Sequence, residues 1–77
     1  MDSTLRKFAQ EGQKVKRFTL NRNGKSLIVK PKNDETFVIM EDYLGDRCIL
    51  WVCCYANGKE IWRHNINDIA RITFDCN

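Results

Sequence analysis

Asparagine followed by glycine occurs twice, at Asn23-Gly24 and Asn57-Gly58, each time between two runs rich in apolar and β-branched residues. Both residues accept the positive φ that a two-residue hairpin turn requires, so each pair marks a place where one strand folds back on the next. The first pair predicts a hairpin between strands at residues 15–20 and 26–30. The second joins a run at 47–55 to a strand at 59–64. Between the hairpins stands the only proline, Pro31, which cannot donate to a sheet ladder and so opens a polar turn with Lys32, Asn33 and Asp34. Residues 36–40 read as a further strand, and residues 41–46, polar and containing Gly45, as its connection onward. A polar turn at 65–68 follows, with Ile66 and Ile69 pointing inward, and then a short strand at 71–74.

The run at 47–55 is almost continuously apolar: Cys48, Ile49, Leu50, Trp51, Val52, Cys53, Cys54 and Tyr55 follow Arg47 without a break. That suits a central strand covered on both faces, or one whose outer face meets another subunit. Ahead of the first hairpin, Leu5, Phe8 and Ala9 have helical spacing, with Asp2 or Ser3 to cap the start and Gly12 to end it. A short helix over 3–11 is expected, with Arg6, Lys7 and Gln10 on its other face. So few turns are unstable alone and must dock.

At 77 residues the chain makes one domain, 1–77. A domain this small buries a modest share of its surface, and association between copies is one common remedy. The expected fold is mainly β (α+β by strict count): a short N-terminal helix, then a five- or six-stranded antiparallel small barrel or strongly bent sheet. No apolar run approaches the roughly 20 residues that cross a bilayer, and the first residues lack the apolar core of a secretory signal. A cytoplasmic protein with no membrane partner is expected.

Catalytic chemistry finds no foothold. Of the four cysteines, Cys48, Cys53 and Cys54 lie in the apolar run and only Cys76 outside it, as expected of reduced, structural thiols. Their spacing is not that of a zinc knuckle, and adjacent cysteines on a strand face opposite sides. A set drawn from Cys48, Cys54, His64 and Cys76 is conceivable, but no metal is expected. A cysteine nucleophile needs a nearby base, and His64 is the only histidine. Glu41, Asp42 and Asp46 read as solvated charge in a turn. Glycine motifs for phosphate are absent. Neither a catalytic residue nor a cofactor is expected.

Charge is distributed unevenly. Residues 1–32 hold nine Lys/Arg against two acids, a net of +7, while residues 33–77 hold four against eight, a net of −4. A basic stretch attracts phosphates and releases counterions, which favours nucleic acid or another anionic surface. It equally suits a solvated face that pairs with the acidic half of a neighbouring copy. Trp62-Arg63-His64-Asn65 adds aromatic rings to basic residues, a combination that stacks on bases and holds phosphate in single strands. On a strand, Trp62 and His64 share one face and Arg63 takes the other. The alternative places Trp62 in the core, with His64 as a hydrogen bonder at the strand end.

Residues 62–69 resemble the second motif of the Hfq branch of the Sm/LSm family, in which an aromatic, a basic residue and a histidine precede an alternating aliphatic tail. Leu5-Arg6-Lys7, Asn23-Gly24 and residues 37–40 follow the same family order. The family's internal glycine and Phe-Asp pair are replaced by Lys30-Pro31-Lys32. The resemblance implies a bent five-stranded Sm/SH3-like barrel behind an N-terminal helix, assembled as a homo-oligomeric ring on U-rich or A-rich RNA. It further implies that Arg63 and His64 face a pore and contact uridine, with Gln10 nearby.

Two function classes follow. One is an oligomeric, non-catalytic RNA-binding protein using Arg6, Lys7, Gln10, Lys16, Arg17, Lys30, Lys32, Arg63 and His64 on single-stranded RNA or other nucleic acid. The other is a protein-interaction domain, such as a small regulatory or inhibitory protein of phage or plasmid type. It would dock on a protein partner through a charged or apolar face that includes Tyr43, Ile49 and Trp51.

Overall fold

In the computed structural model, which describes residues 9–75, both Asn-Gly pairs are two-residue turns. Asn23 and Gly24 have φ of 53° and 75°, Asn57 and Gly58 of 54° and 75°. Positive φ at both central positions is the type I′ pattern, whose twist matches that of the flanking strands. The first turn joins β1 (Lys14–Arg22) to β2 (Lys25–Val29), with Arg22 opposite Lys25. After Pro31 come β3 (Glu35–Leu44) and β4 (Arg47–Ala56), then the second Asn-Gly turn and β5 (Lys59–Asn65). A single 3₁₀ turn, Ile66–Asp68, leads into β6 (Ile69–Phe74). Asn65 caps that turn by accepting a 2.9 Å hydrogen bond from the Asn67 N–H.

Two expectations are corrected. Residues 41–44, read as a connection, continue β3, and only Gly45-Asp46 turns, with Leu44 opposite Arg47. The hairpin runs past the core here, so both faces are wet and the apolar signal of a strand fades. The helix expected over 3–11 falls mostly outside the described residues. At its end, residues 9–10 have no regular structure and Glu11-Gly12 is a turn, so no α-helix occurs among the described residues. The sheet captures the backbone there: the Gly12 N–H donates to the Ile39 carbonyl at 2.7 Å, and the Ile39 N–H to the Gln13 carbonyl at 2.9 Å.

All pairings are antiparallel. The order is β2-β1-β3-β4-β5, with β6 on the remaining edge of β1. Phe18 faces Val29 of β2 and Ile72 of β6, so β2 and β6 flank β1. Near its start β1 instead pairs β3, through Lys14–Val38 and Val15–Phe37. The sheet thus curls around β1 into a half-barrel in which β2, β5 and β6 each pair a single neighbour among the described residues. An extra residue, Lys16, lies in β1 where the β6 register shifts, and it moves the buried set from Val15 to Phe18 and Leu20.

The concave side holds the core. Phe18, Phe37, Ile39, Val52, Cys54, Ile66 and Ile69 are fully buried, joined by Val15, Leu20, Leu50 and Ile72. Full burial of an apolar side chain of this size stabilises by about 1.5–3 kcal/mol. Adjacent Cys53 and Cys54 are both wholly buried although they point to opposite faces, so β4 is covered on both sides at this point.

Candidate nucleic-acid interface

The convex side of β6, β1 and β2 is assembled by register. Residues directly opposite in neighbouring strands share a face, and Arg17 lies opposite Thr73, Thr19 opposite Arg71 and Ile28, and Asn21 opposite Ser26. Phe18 and Leu20, in between, are buried on the other side. Arg17, Thr19, Asn21, Ser26, Ile28, Arg71 and Thr73 therefore form one face, and the exposed Asp75 follows Thr73 at its end, its N–H donating to the Lys14 carbonyl at 3.0 Å. Thr19, Asn21, Ser26, Ile28, Ala70 and Arg71 line a shallow groove across this face. The Ser26 hydroxyl donates to Asn21 Oδ1 at 3.2 Å, a bond that does not use the Asn21 amide N–H groups. Lys30 stands exposed two residues beyond Ile28. Among the described residues only Arg63 forms an ion pair, so Arg17, Lys30 and Arg71 keep their charge for an outside anion.

Arg71 was not among the residues singled out in the sequence, and no local signal marks it. Only the pairing of the last strand with the first sets its guanidinium beside Thr19. Of the expected contacts, Arg6 and Lys7 lie outside the described residues. Gln10 is exposed in the turn before β1, where its N–H donates to Gln13 Oε1 at 3.3 Å. Lys16 is exposed at the bulge, and Arg17 is half-buried on the convex face. Lys32 is exposed, its N–H donating to Glu35 Oε1 at 2.9 Å.

Arg63 and His64 are not brought together. Trp62 and His64 turn inward into a cluster of rings: Trp62 is 5.0 Å from Phe37 and 5.0 Å from His64, and His64 is 5.6 Å from Phe18. Burial holds the His64 imidazole below its ordinary pKa, the nearby positive Arg22 adds to this, and Asp68 opposes it. Arg63 points the other way, with its guanidinium 5.3 Å from the centre of the Trp51 ring. It donates to Glu60 at 2.7 Å and lies 3.9 Å from Asp42. The bond to Glu60 raises the Arg63 pKa and lowers that of Glu60. Arg63 is thus already neutralised by its own sheet.

Of the expected interface residues, Ile49 and Trp51 share one face of β4, while Tyr43, opposite Cys48, lies on the other. Trp51 is half-buried under Arg63, and its buried Nε1–H has no acceptor among the described residues. Ile49 is half-buried and lines a small cavity with Leu44, Leu50 and Ile66. Tyr43 is 65% exposed near the end of the β3–β4 hairpin. Its hydroxyl donates to Glu41 Oε2 at 2.9 Å, and this bond, with the charge of Glu41, pushes the phenol up to about 12.

Cys53 and Cys54 are unbridged thiols. Burial, with the Glu60 carboxylate beside it, pushes Cys53 up to about 12, and burial also raises Cys54. Such thiols are poor nucleophiles at neutral pH. Among the described residues no three of His, Cys, Asp and Glu gather as a metal site, and no helix is long and apolar enough to cross a membrane. Compared with protein-family models, curated proteins and solved structures, the chain matches none.

Proposed function

We propose that the chain is a non-catalytic binding module of Sm/SH3-like small-barrel type that holds single-stranded RNA, or a like phosphodiester chain, across the convex face of β6, β1 and β2. The observation that carries it is a face whose cations, Arg17, Arg71 and neighbouring Lys30, have no carboxylate partner among the described residues and stand beside Thr19, Asn21 and Ser26. A phosphate oxygen accepts from guanidinium, hydroxyl and amide donors together, and release of its counterions drives the association. Ile28, 58% exposed in the groove, offers an apolar surface for a base or sugar. The strand order supports the barrel type, as does the 3₁₀ turn that leads the last strand to the first. Buried, unbridged thiols suit a reducing compartment and so a cytoplasmic location.

Fluorescence anisotropy with labelled U-rich and A-rich oligonucleotides tests this. Binding is expected at low salt and weakens as salt rises. The double substitution Arg17→Ala/Arg71→Ala costs at least about tenfold in affinity, roughly 1.4 kcal/mol, with the fold retained by circular dichroism. Arg63→Ala leaves affinity nearly unchanged, since that guanidinium is held by Glu60. Absence of binding to either oligonucleotide at low salt would sink the proposal. Loss on Arg63→Ala with no effect of the double substitution would move the site to the convex side of β5.

A further inference from the structure

Among the described residues, two stretches of this sheet with an unpaired edge each expose two adjacent apolar side chains, and their charges are opposite. The first is β2, which hydrogen-bonds to β1 alone. Leu27 and Ile28 are 50% and 58% exposed, one on each face of the strand. Lys25 and Lys30 flank them, and no acid occurs from residue 14 to residue 32. The second is the outer end of β3. The neighbouring backbone accompanies β3 only as far as Ile39, whose N–H donates to Gln13. Beyond it, residues 40–44 pair β4 on one edge and nothing described on the other. Tyr43 and Leu44 are 65% and 69% exposed, again one on each face, among Glu41, Asp42 and Asp46.

These stretches are complementary strand to strand. In an antiparallel register with Ile28 opposite Tyr43, Leu27 falls opposite Leu44 and Lys30 opposite Glu41, while Lys25 lies beside the Gly45-Asp46 turn. Apolar pairs and opposite charges then match in one alignment, each pair contributing to sheet stability. Pairing β2 with another β2 would set lysines near lysines, which is how edges resist self-association. Within one molecule the stretches cannot meet: β2 lies beside the end of β1, whereas the end of β3 projects past its start. We propose that the acidic outer end of β3 adds as a strand to the basic β2 edge of a second copy, giving a head-to-tail assembly. The contact is heterologous, so it closes as a ring or extends as a filament.

Sedimentation equilibrium of the full chain at low salt, with no nucleic acid present, tests the pairing. The expected mass exceeds that of one chain and rises with concentration. Lys30→Glu and Glu41→Lys each reduce it to a single chain, because each sets like charges against each other at the contact. An equimolar mixture of the two variants associates again, since each supplies the charge the other has lost. Leu44→Ser, which leaves every charge in place, also weakens association. A single-chain mass for the unmodified protein overturns the proposal. So does association that survives both charge reversals, or two folded variants whose mixture stays monomeric.

Discussion

His64 shows how one inward turn of a strand decides a residue's chemistry. Its ring packs against Phe18 and Trp62, so the imidazolium would be partly stripped of water, and Arg22 disfavours it further. In the unfolded chain the same group titrates near about 6.5. Its folded value lies below that, so just under about 6.5 the unfolded state binds more protons than the folded one. Stability from this group is therefore complete above the unfolded pKa and is lost as pH falls toward the folded value. A lower melting temperature at about pH 5.5 than at about pH 7.5 is expected, and His64→Gln should flatten that difference. An unchanged slope in the variant would assign the dependence to other groups. Arg63, one residue away, faces the opposite side and serves its own sheet through Glu60 and Trp51. The alternation of faces at 62–64 was legible from the strand period. That Arg63 would find a carboxylate was not, because the Asp42 contact depends on the curl of the sheet and the Glu60 contact crosses a bulge in β5.

At the scale of elements, turn chemistry proved the most transparent part of the sequence. Asn23-Gly24 and Asn57-Gly58 specify their hairpins locally, through backbone conformations that few other residues tolerate. A methyl group added at Gly58 meets nothing within 4 Å, so Gly58→Ala has a purely conformational cost. Left-handed backbone costs a non-glycine residue about 1–2 kcal/mol, and a lower urea midpoint with an unchanged slope, the drop in midpoint times that slope giving this loss, is expected. A neutral substitution would mean that the turn relaxes to another type. The outer end of β3 was opaque for the opposite reason. Residues 41–44 form a strand because β4 pairs with them, not because a buried face demands it, and polar residues there look like a loop. The end of the expected helix was misread because Ala9 and Gly12 satisfy helical rules locally. The hydrogen bonds that hold Gly12 and Gln13 to Ile39 span more than twenty residues of sequence.

The whole molecule is polarised by its topology as well as by its sequence. All seven Lys/Arg between residues 14 and 32 lie on β1, β2 and their flanks, and β6 returns to the same sheet with Arg71. The charge split was plain in the sequence. The concentration of Arg17 and Arg71 on one face was not, since this needs the last strand beside the first. That face has a quantitative consequence. If Arg17, Lys30 and Arg71 each neutralise one phosphate, three counterion sites are vacated. For a single strand the logarithm of the binding constant should fall with the logarithm of salt at a slope of about −2, from roughly −0.7 per phosphate. Arg71→Ala removes one contact and should bring the slope closer to zero by about 0.7, while lowering affinity for every oligonucleotide sequence alike. A slope near zero would mean that uncharged groups hold the ligand. A slope unchanged by Arg71→Ala would take the phosphate path away from β6, and the convex face would then have to be redrawn around β1 and β2 alone.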